Sequence, residues 1–279
     1  MRYLNLGCGK HYSIQQEWVN VDFISAGEGV IAHNLLNGIP FASNSFDLVY
    51  HSHVLEHFSK IDGEKMIAEC FRVLKPGGVL RIAIPNLEVI VKKYIQLLDD
   101  GIKNPQDEII RMNYDWILLE MYDQTLRNYS GGRMAEYLFQ DTVKNEDFVY
   151  ERLGSEVRSL RANYLESKIN SSGNSGKENE NKVDKLVSRL RQGFKRRLFN
   201  LLKIDPQALA IGKFRLGGEI HQWMYDRYSL SNLLASNGGK NIQIQNAFSS
   251  KIANWSTYNL DGKDGVVRKP DSLFIEATF

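Results

Sequence analysis

The sequence predicts an α/β fold: a mostly parallel sheet of seven strands with a helical insertion after the fifth. Three observations point there. Short β-type runs alternate with helical patterns over the first hundred residues, as βαβ units do. The first run closes on a glycine pair, Gly7-Cys8-Gly9. The alternation stops after Pro85 and resumes only near the C-terminal end.

Taken in order, Tyr3–Leu6 reads as a buried strand and Val19–Phe23 as a second, with Asp22 near its end. Val30–His33 is a third strand and Phe46–Tyr50 a fourth. Glu64–Leu74 places apolar residues at 66, 67, 70, 71 and 74, the spacing of one helix face. Lys75-Pro76-Gly77-Gly78 ends that helix, because proline cannot continue it and glycine tolerates positive φ. Val79–Ile84 is the fifth strand. Ser229–Ala235 is a further helix, and Asn241–Gln245 and Ser272–Thr278 are the closing strands.

Residues 88–166 read as mostly helical, with breaks near Gly101–Pro105 and Ser130–Gly132. Residues 170–182 are polar and glycine-containing, so a mobile loop is expected. Val183–Lys203 carries a Leu/Val/Phe stripe at helical spacing with Lys and Arg opposite, a basic amphipathic helix. The domain reading is a core of residues 1–98 and 216–279 with 99–215 inserted.

The 279 residues are 43% hydrophobic and 24% charged, the balance of a soluble globular protein. No apolar stretch approaches the ~20 residues that span a bilayer. Met1 runs almost directly into the first strand, so no secretory leader is expected. Two cysteines cannot make a disulfide framework, which suits a cytoplasmic setting. The formal charge of +2 conceals an uneven distribution. Glu151–Arg215 has 15 basic and 7 acidic residues, net +8, and the remainder has 20 and 26, net −6. Three readings of the basic helix follow: packing or an oligomer contact, contact with the inner face of a membrane, or binding of another partner such as RNA.

A strand ending in Gly-x-Gly lets a ligand approach the backbone and its free N–H groups. Asp22, thirteen residues past Gly9, can accept both hydroxyls of a ribose. A nicotinamide fingerprint would need a third glycine where Tyr12 stands, and the Gly-Lys-Ser/Thr of a phosphate loop is missing. The loop therefore suits a nucleoside without a pyrophosphate.

Leu4-Asn-Leu-Gly-Cys-Gly9, Val21-Asp22, Ser45-Phe-Asp-Leu-Val-Tyr50, His53-Val-Leu-Glu-His57 and Arg72-Val-Leu-Lys-Pro-Gly-Gly78 follow one another in that order. Together they resemble the class I S-adenosylmethionine-dependent methyltransferases of the broad type-11 family. The resemblance covers most of residues 1–86. It implies a Rossmann-like sheet ordered 3-2-1-4-5-7-6 with the last strand antiparallel, and S-adenosylmethionine as cofactor across its C-terminal edge. Carried over, Gly7, Cys8 and Gly9 would face the methionine part. Asn5 stands where the family has an acidic residue. Asp22 would hold the ribose, with Phe23 beside the adenine. Asn34 and Leu35 would reach the adenine amino group, and His51 and Ser52 would line the methyl end. Only Lys10–Trp18 separate Gly9 from the second strand, so a loop with a single helical turn is expected in place of a crossover helix.

Methyl transfer to a hydroxyl needs alignment and a proton acceptor, a task for histidine. His221, His53 and His57 are the candidates. Each has a second reading: His57 with Glu56 as a structural feature, His53 as pocket lining, His221 as an acceptor-site wall amid Trp223 and Tyr225. The His51-x-His53-x₃-His57 spacing lacks a cysteine or carboxylate to complete a zinc set, so no metal is expected. The Asn/Asp-Pro-Pro-aromatic motif of exocyclic-amine methylation is absent from Tyr50–His53. Neither Cys8 nor Cys70 suits the nucleophile of pyrimidine C5 methylation. O-methylation of a small molecule or glycan is the leading expectation, with Trp116, Tyr122, Tyr129 and Tyr137 as a lid or a sugar-stacking wall. The alternatives are a non-catalytic cofactor-binding or membrane-tethered accessory protein, or a lipid, quinone or RNA acceptor.

Overall fold

The computed structural model describes residues 1–25, 27–172, 203 and 205–279. Residues 173–182 of the expected loop and 183–202 of the expected basic helix lie outside them. Seven strands form one sheet in the order β3-β2-β1-β4-β5-β9-β6. They are β1 (Tyr3–Leu6), β2 (Trp18–Asp22), β3 (Val30–Ala32), β4 (Phe46–Ser52), β5 (Leu74–Pro85), β6 (Lys240–Gln245) and β9 (Ser272–Thr278). The first five pair in parallel. β9 runs antiparallel between β5 and β6, so this is the expected 3-2-1-4-5-7-6 order counted over the sheet strands. A two-strand hairpin, β7 (Gly262–Lys263) with β8 (Val266–Val267), stands apart.

Strand periodicity divides the sheet into two unlike faces. Leu4, Leu6, Val49, Leu80, Ile82, Ile84, Leu273 and Ile275 point one way, into the main core. Two helices cover them: α1 (Lys60–Val73) supplies Met66, Ile67, Cys70 and Phe71, and a later helix, Arg227–Ser236, supplies Leu230, Leu233 and Leu234. α1 begins four residues before the periodicity does, because Ser59 caps it by accepting from the Asp62 N–H at 3.1 Å.

The opposite face lacks its usual cover. No helix joins β1 to β2, and the single turn expected in Lys10–Trp18 does not form. The segment is tied down by isolated turns instead: His11 donates to Cys8, and Trp18 to Gln15. The Asn20 side chain donates to the Ser13 carbonyl. The exposed flank is closed from far along the chain. Trp255 and Leu260 pack on Tyr3, Trp18, Leu48 and Tyr50, with Tyr50 and Trp255 rings 5.2 Å apart. Arg81, with no exposed surface, sits at the centre of this layer. Its guanidinium pairs with Asp261 and Glu276, each at 2.7 Å, and lies 4.4 Å from the Trp255 ring. It also donates to the Asn246 and Ser249 carbonyls.

The insertion after β5 holds α2 (Leu87–Lys103), α3 (Glu108–Leu126), α4 (Gly132–Leu138), α5 (Glu146–Ser172) and α6 (Pro206–Arg215); the Arg227–Ser236 helix is then α7. Trp116, Met134, Leu138 and Val149 form a small core of their own. Trp116 has no exposed surface and donates to Glu120, so its ring is interior and not part of a stacking wall; Tyr137, half-buried, packs on it. Tyr122 and Tyr129 remain about half exposed. Residues 170–172 end α5 and are helical. The chain leaves helical geometry inside α5 at Gly154, φ +76°, where a Cβ would fall 2.4 Å from the Arg268 carbonyl oxygen. No helix among the described residues is long and apolar enough to cross a membrane.

Replacing Arg81 by Met strands two buried carboxylates, so Arg81→Met is expected to cost about 3–5 kcal/mol in urea unfolding. A loss under about 1 kcal/mol would show that water reaches Asp261 and Glu276.

Candidate functional site

The C-terminal ends of β1, β2 and β4 meet at one edge, and the residues singled out from sequence lie along it. Gly7 and Gly9 both take positive φ, +61° and +54°. Gly7 is sealed underneath: a Cβ there would fall 2.3 Å from Val54 Cγ2, in the turn that follows β4. Gly9 faces open space, with nothing within 4 Å of where a Cβ would point. The Gly9 N–H donates to Asp22 Oδ2 at 2.8 Å, so the turn after β1 and the tip of β2 are locked together. Phe23 and Ile24, just beyond, are 64% and 69% exposed. Asn34 accepts from the Leu36 N–H and caps the short turn Leu35–Asn37.

Other candidates sit below this surface. Asn5 is buried and its amide donates to Asn20, which ties β1 to β2. Cys8 is buried, and burial with the Asp22 charge pushes its thiol up to about 12. Burial with the Glu69 charge raises the Cys70 thiol as well, so neither supplies a thiolate nucleophile at neutral pH. His51 has no exposed surface and no partner for either ring nitrogen. Burial pulls it down to about 4, against the Glu56 charge. Ser52 is half-buried and accepts from Arg268 at 3.3 Å.

The three candidate histidines do come together, around a group that periodicity did not single out. Glu56 lies in the short turn Leu55–His57, buried at 1% exposure. His53 leaves β4 with a left-handed backbone, φ +55°, which brings its Nδ1 to 3.2 Å from Glu56 and its Nε2 to 2.8 Å from Ser272 Oγ. The rings of His57 and His221 meet edge to face at 4.9 Å. Burial opposes charge on Glu56, yet the His53 contact and the neighbouring histidines hold its carboxyl well below the usual range. Burial drives His221 down to about 3, against the attraction of Glu56, so it is neutral at pH 7. The signal for Glu56 was its place between His53 and His57; burial was the part no local pattern revealed.

Whether these residues fit a nucleoside cofactor is decided at Gly9 and Asp22. An open backbone approach, a partly accessible carboxylate one strand away and exposed apolar side chains beyond it provide what a ribose and an adenine require. Residues 10–82 match the family described as a methyltransferase domain. A probable S-adenosylmethionine-dependent methyltransferase of Mycolicibacterium smegmatis is 41% identical over 56 residues. That stretch is 20% of this chain and 21% of the relative, so the chain matches about a fifth of that protein's length. Among solved structures, a methyltransferase of Thermotoga maritima, described as a possible histamine N-methyltransferase, is similar over 99% of this chain and 81% of its own. Its identity is 11% and its TM-score 0.39. One from Archaeoglobus fulgidus covers 100% and 86%, at 13% identity and a TM-score of 0.38. The sheet order is that of the S-adenosylmethionine-dependent methyltransferase fold, and residues 10–82 within it match the methyltransferase-domain family.

Gly7→Ala forces a positive φ and a 2.3 Å clash on the same residue, so it is expected to destabilise the protein by about 1–3 kcal/mol more than Gly9→Ala does. Thermal unfolding of the two variants checks this; equal midpoints would place the loop differently.

Proposed function

We propose that the chain transfers a methyl group from S-adenosylmethionine to a hydroxyl of a saccharide or another small acceptor. The observation that carries this reading is the lock between Gly9 and Asp22, 2.8 Å, at the edge where the sheet order presents a nucleoside site. When bound, S-adenosylmethionine supplies a methyl on a sulfonium, open to in-line displacement.

The residues of the chain then have two tasks, alignment and the proton. Alignment falls to the turn after β1 and to the Val54 side chain under Gly7, which fix the backbone at the reacting edge. As the new C–O bond forms, the acceptor hydroxyl gives up its proton. We assign His57 to take it. Its Nδ1 donates to the Ile220 carbonyl at 3.2 Å, and a carbonyl can only accept, so in the neutral imidazole the lone pair is on Nε2. His221, at about 3, is too weak a base at neutral pH, and the His53 ring is turned between Ser272 Oγ at 2.8 Å and Glu56 at 3.2 Å.

A saccharide is favoured by a cleft of about 390 Å³ beside this cluster, lined by Trp223, Tyr228, Lys60, Glu64, Ser229 and Asn232. Exposed aromatic faces beside hydroxyl, amide and charged groups are what a polyol ring needs. A setting in cell-surface glycan synthesis follows from the sequence resemblance alone.

Titration calorimetry with S-adenosylmethionine tests the reading. Wild type binds one equivalent, and Asp22→Ala weakens binding by roughly tenfold or more, since each hydrogen bond to a charged acceptor is worth about 1.5–3 kcal/mol. Unchanged affinity in the variant would mean that the ribose lies elsewhere, and no binding to the folded wild type would remove the proposal.

A further inference from the structure

We propose that Glu56, His57 and His221 form a binding site for one divalent first-row transition cation, zinc or a close analogue. The donor atoms of these three residues all lie within 4.8 Å of one another. They come from two remote segments, so the turn at 55–57 does not by itself create the cluster. Donors around a tetrahedral zinc are roughly 3.4 Å apart, given bonds of about 2.1 Å. Side-chain rotation alone has to close that gap.

Three further observations support a ligand here. First, both Glu56 carboxylate oxygens are buried without a hydrogen bond, as are both His51 ring nitrogens and the Tyr225 hydroxyl. Buried polar atoms are normally satisfied, and a buried carboxylate needs a positive partner. His53 Nδ1 at 3.2 Å is the near contact, but its geometry leaves Glu56 without a hydrogen bond. A cation among two imidazoles and this carboxylate would supply that charge.

Second, the backbone contact of His57 favours the tautomer that a metal bound at Nε2 requires. Its Nδ1–H is spent on the Ile220 carbonyl, the backbone contact that metal-bound histidines usually make, and Nε2 is left for the ion. Third, the two segments are laced together by the main chain. Gln222 N and Trp223 N donate to the Glu56 carbonyl at 2.7 and 3.3 Å, and Gln222 Nε2 donates to the His57 carbonyl at 2.8 Å. His221 N donates to the Gln124 carbonyl at 2.9 Å, which anchors the third ligand to the end of α3. The backbone positions are therefore set before any ion arrives, and only the side chains have to turn.

Two imidazoles and one carboxylate suit zinc, cobalt, iron or nickel over magnesium and calcium, which take oxygen, and over copper(I), which takes sulfur. A role follows if this edge is the acceptor side, a point that rests on the methyltransferase reading. A hydroxyl bound to the ion would give up its proton to solvent water more readily, with no change of oxidation state. His57 would then act as ligand and not as base.

Cobalt(II) alone is the probe, added to the metal-stripped full-length protein and followed by its visible absorption. Saturation at one equivalent, with competition by zinc, is the expected result. Glu56→Gln, nearly isosteric, and His221→Ala each weaken cobalt binding by about tenfold or more, and His33→Ala leaves it unchanged. No saturable absorption in wild type, or equal affinity in His221→Ala, overturns the site. Folding of each variant is checked by circular dichroism, and the wild-type titration stands without any variant. S-adenosylmethionine affinity is measured on the same stripped protein. Cobalt silence with normal cofactor binding would remove the cation site and leave the methyltransferase reading intact.

Discussion

Everything on the second face of the sheet depends on Arg81. The short connections between β1, β2 and β3 leave no helix to shield Tyr3, Trp18 and Tyr50, and a bare face would not stay dry. The chain solves this by bringing residues 246–261 back across the sheet and fastening them to one guanidinium. Arg81 reaches two carboxylates, two backbone carbonyls and an indole face at once. A buried charge of this kind adds little to stability by itself, but it permits a single arrangement of the covering segment. The Tyr50 hydroxyl, 2.6 Å from Asp261, joins the same network and fixes β4, the strand that leads into His53 and Glu56.

The site is consequently held from two directions. From below, Val54 fills the space under Gly7, so the glycine turn and the turn carrying Glu56 cannot move independently. From above, the 220–223 segment bonds to that same turn and to the end of α3. The helical insertion thus contributes to the histidine cluster through backbone contacts and not through the aromatic residues that first drew notice. Trp116 supports the insertion from inside.

Local patterns carried most of the fold. β1 and β9 fall where alternation and apolar runs place them, and the positive φ at Gly7 and Gly9 follows from glycine chemistry. The start of α1 was missed by one turn, because a serine cap acts outside the apolar repeat. What escaped entirely was non-local. Trp255 lies in a segment without periodicity, and its partners Tyr50 and Arg81 are far away in the chain. Asn5, which stands where the family has an acidic residue, donates its amide to Asn20, a partner that comes from another strand. Glu56 looked like an ordinary acidic residue before a helix. Its carbonyl accepts from Gln222 and Trp223, in a segment more than 160 residues later that no local pattern reveals.

The separation of Arg81 from its partners, 180 residues to Asp261 and 195 to Glu276, has a kinetic side. As the chain emerges during synthesis, β1 to β5 appear long before anything that can neutralise the guanidinium. That half of the sheet cannot close into a dry layer, and its aromatic face stays in contact with water or with whatever else is at hand. Completion waits on closing a very long loop, an entropic step whose length bears more on the rate of the search than on the stability of the finished structure. Folding is therefore a late, collective event in this chain, and the interval before it is the period in which the protein is most open to aggregation.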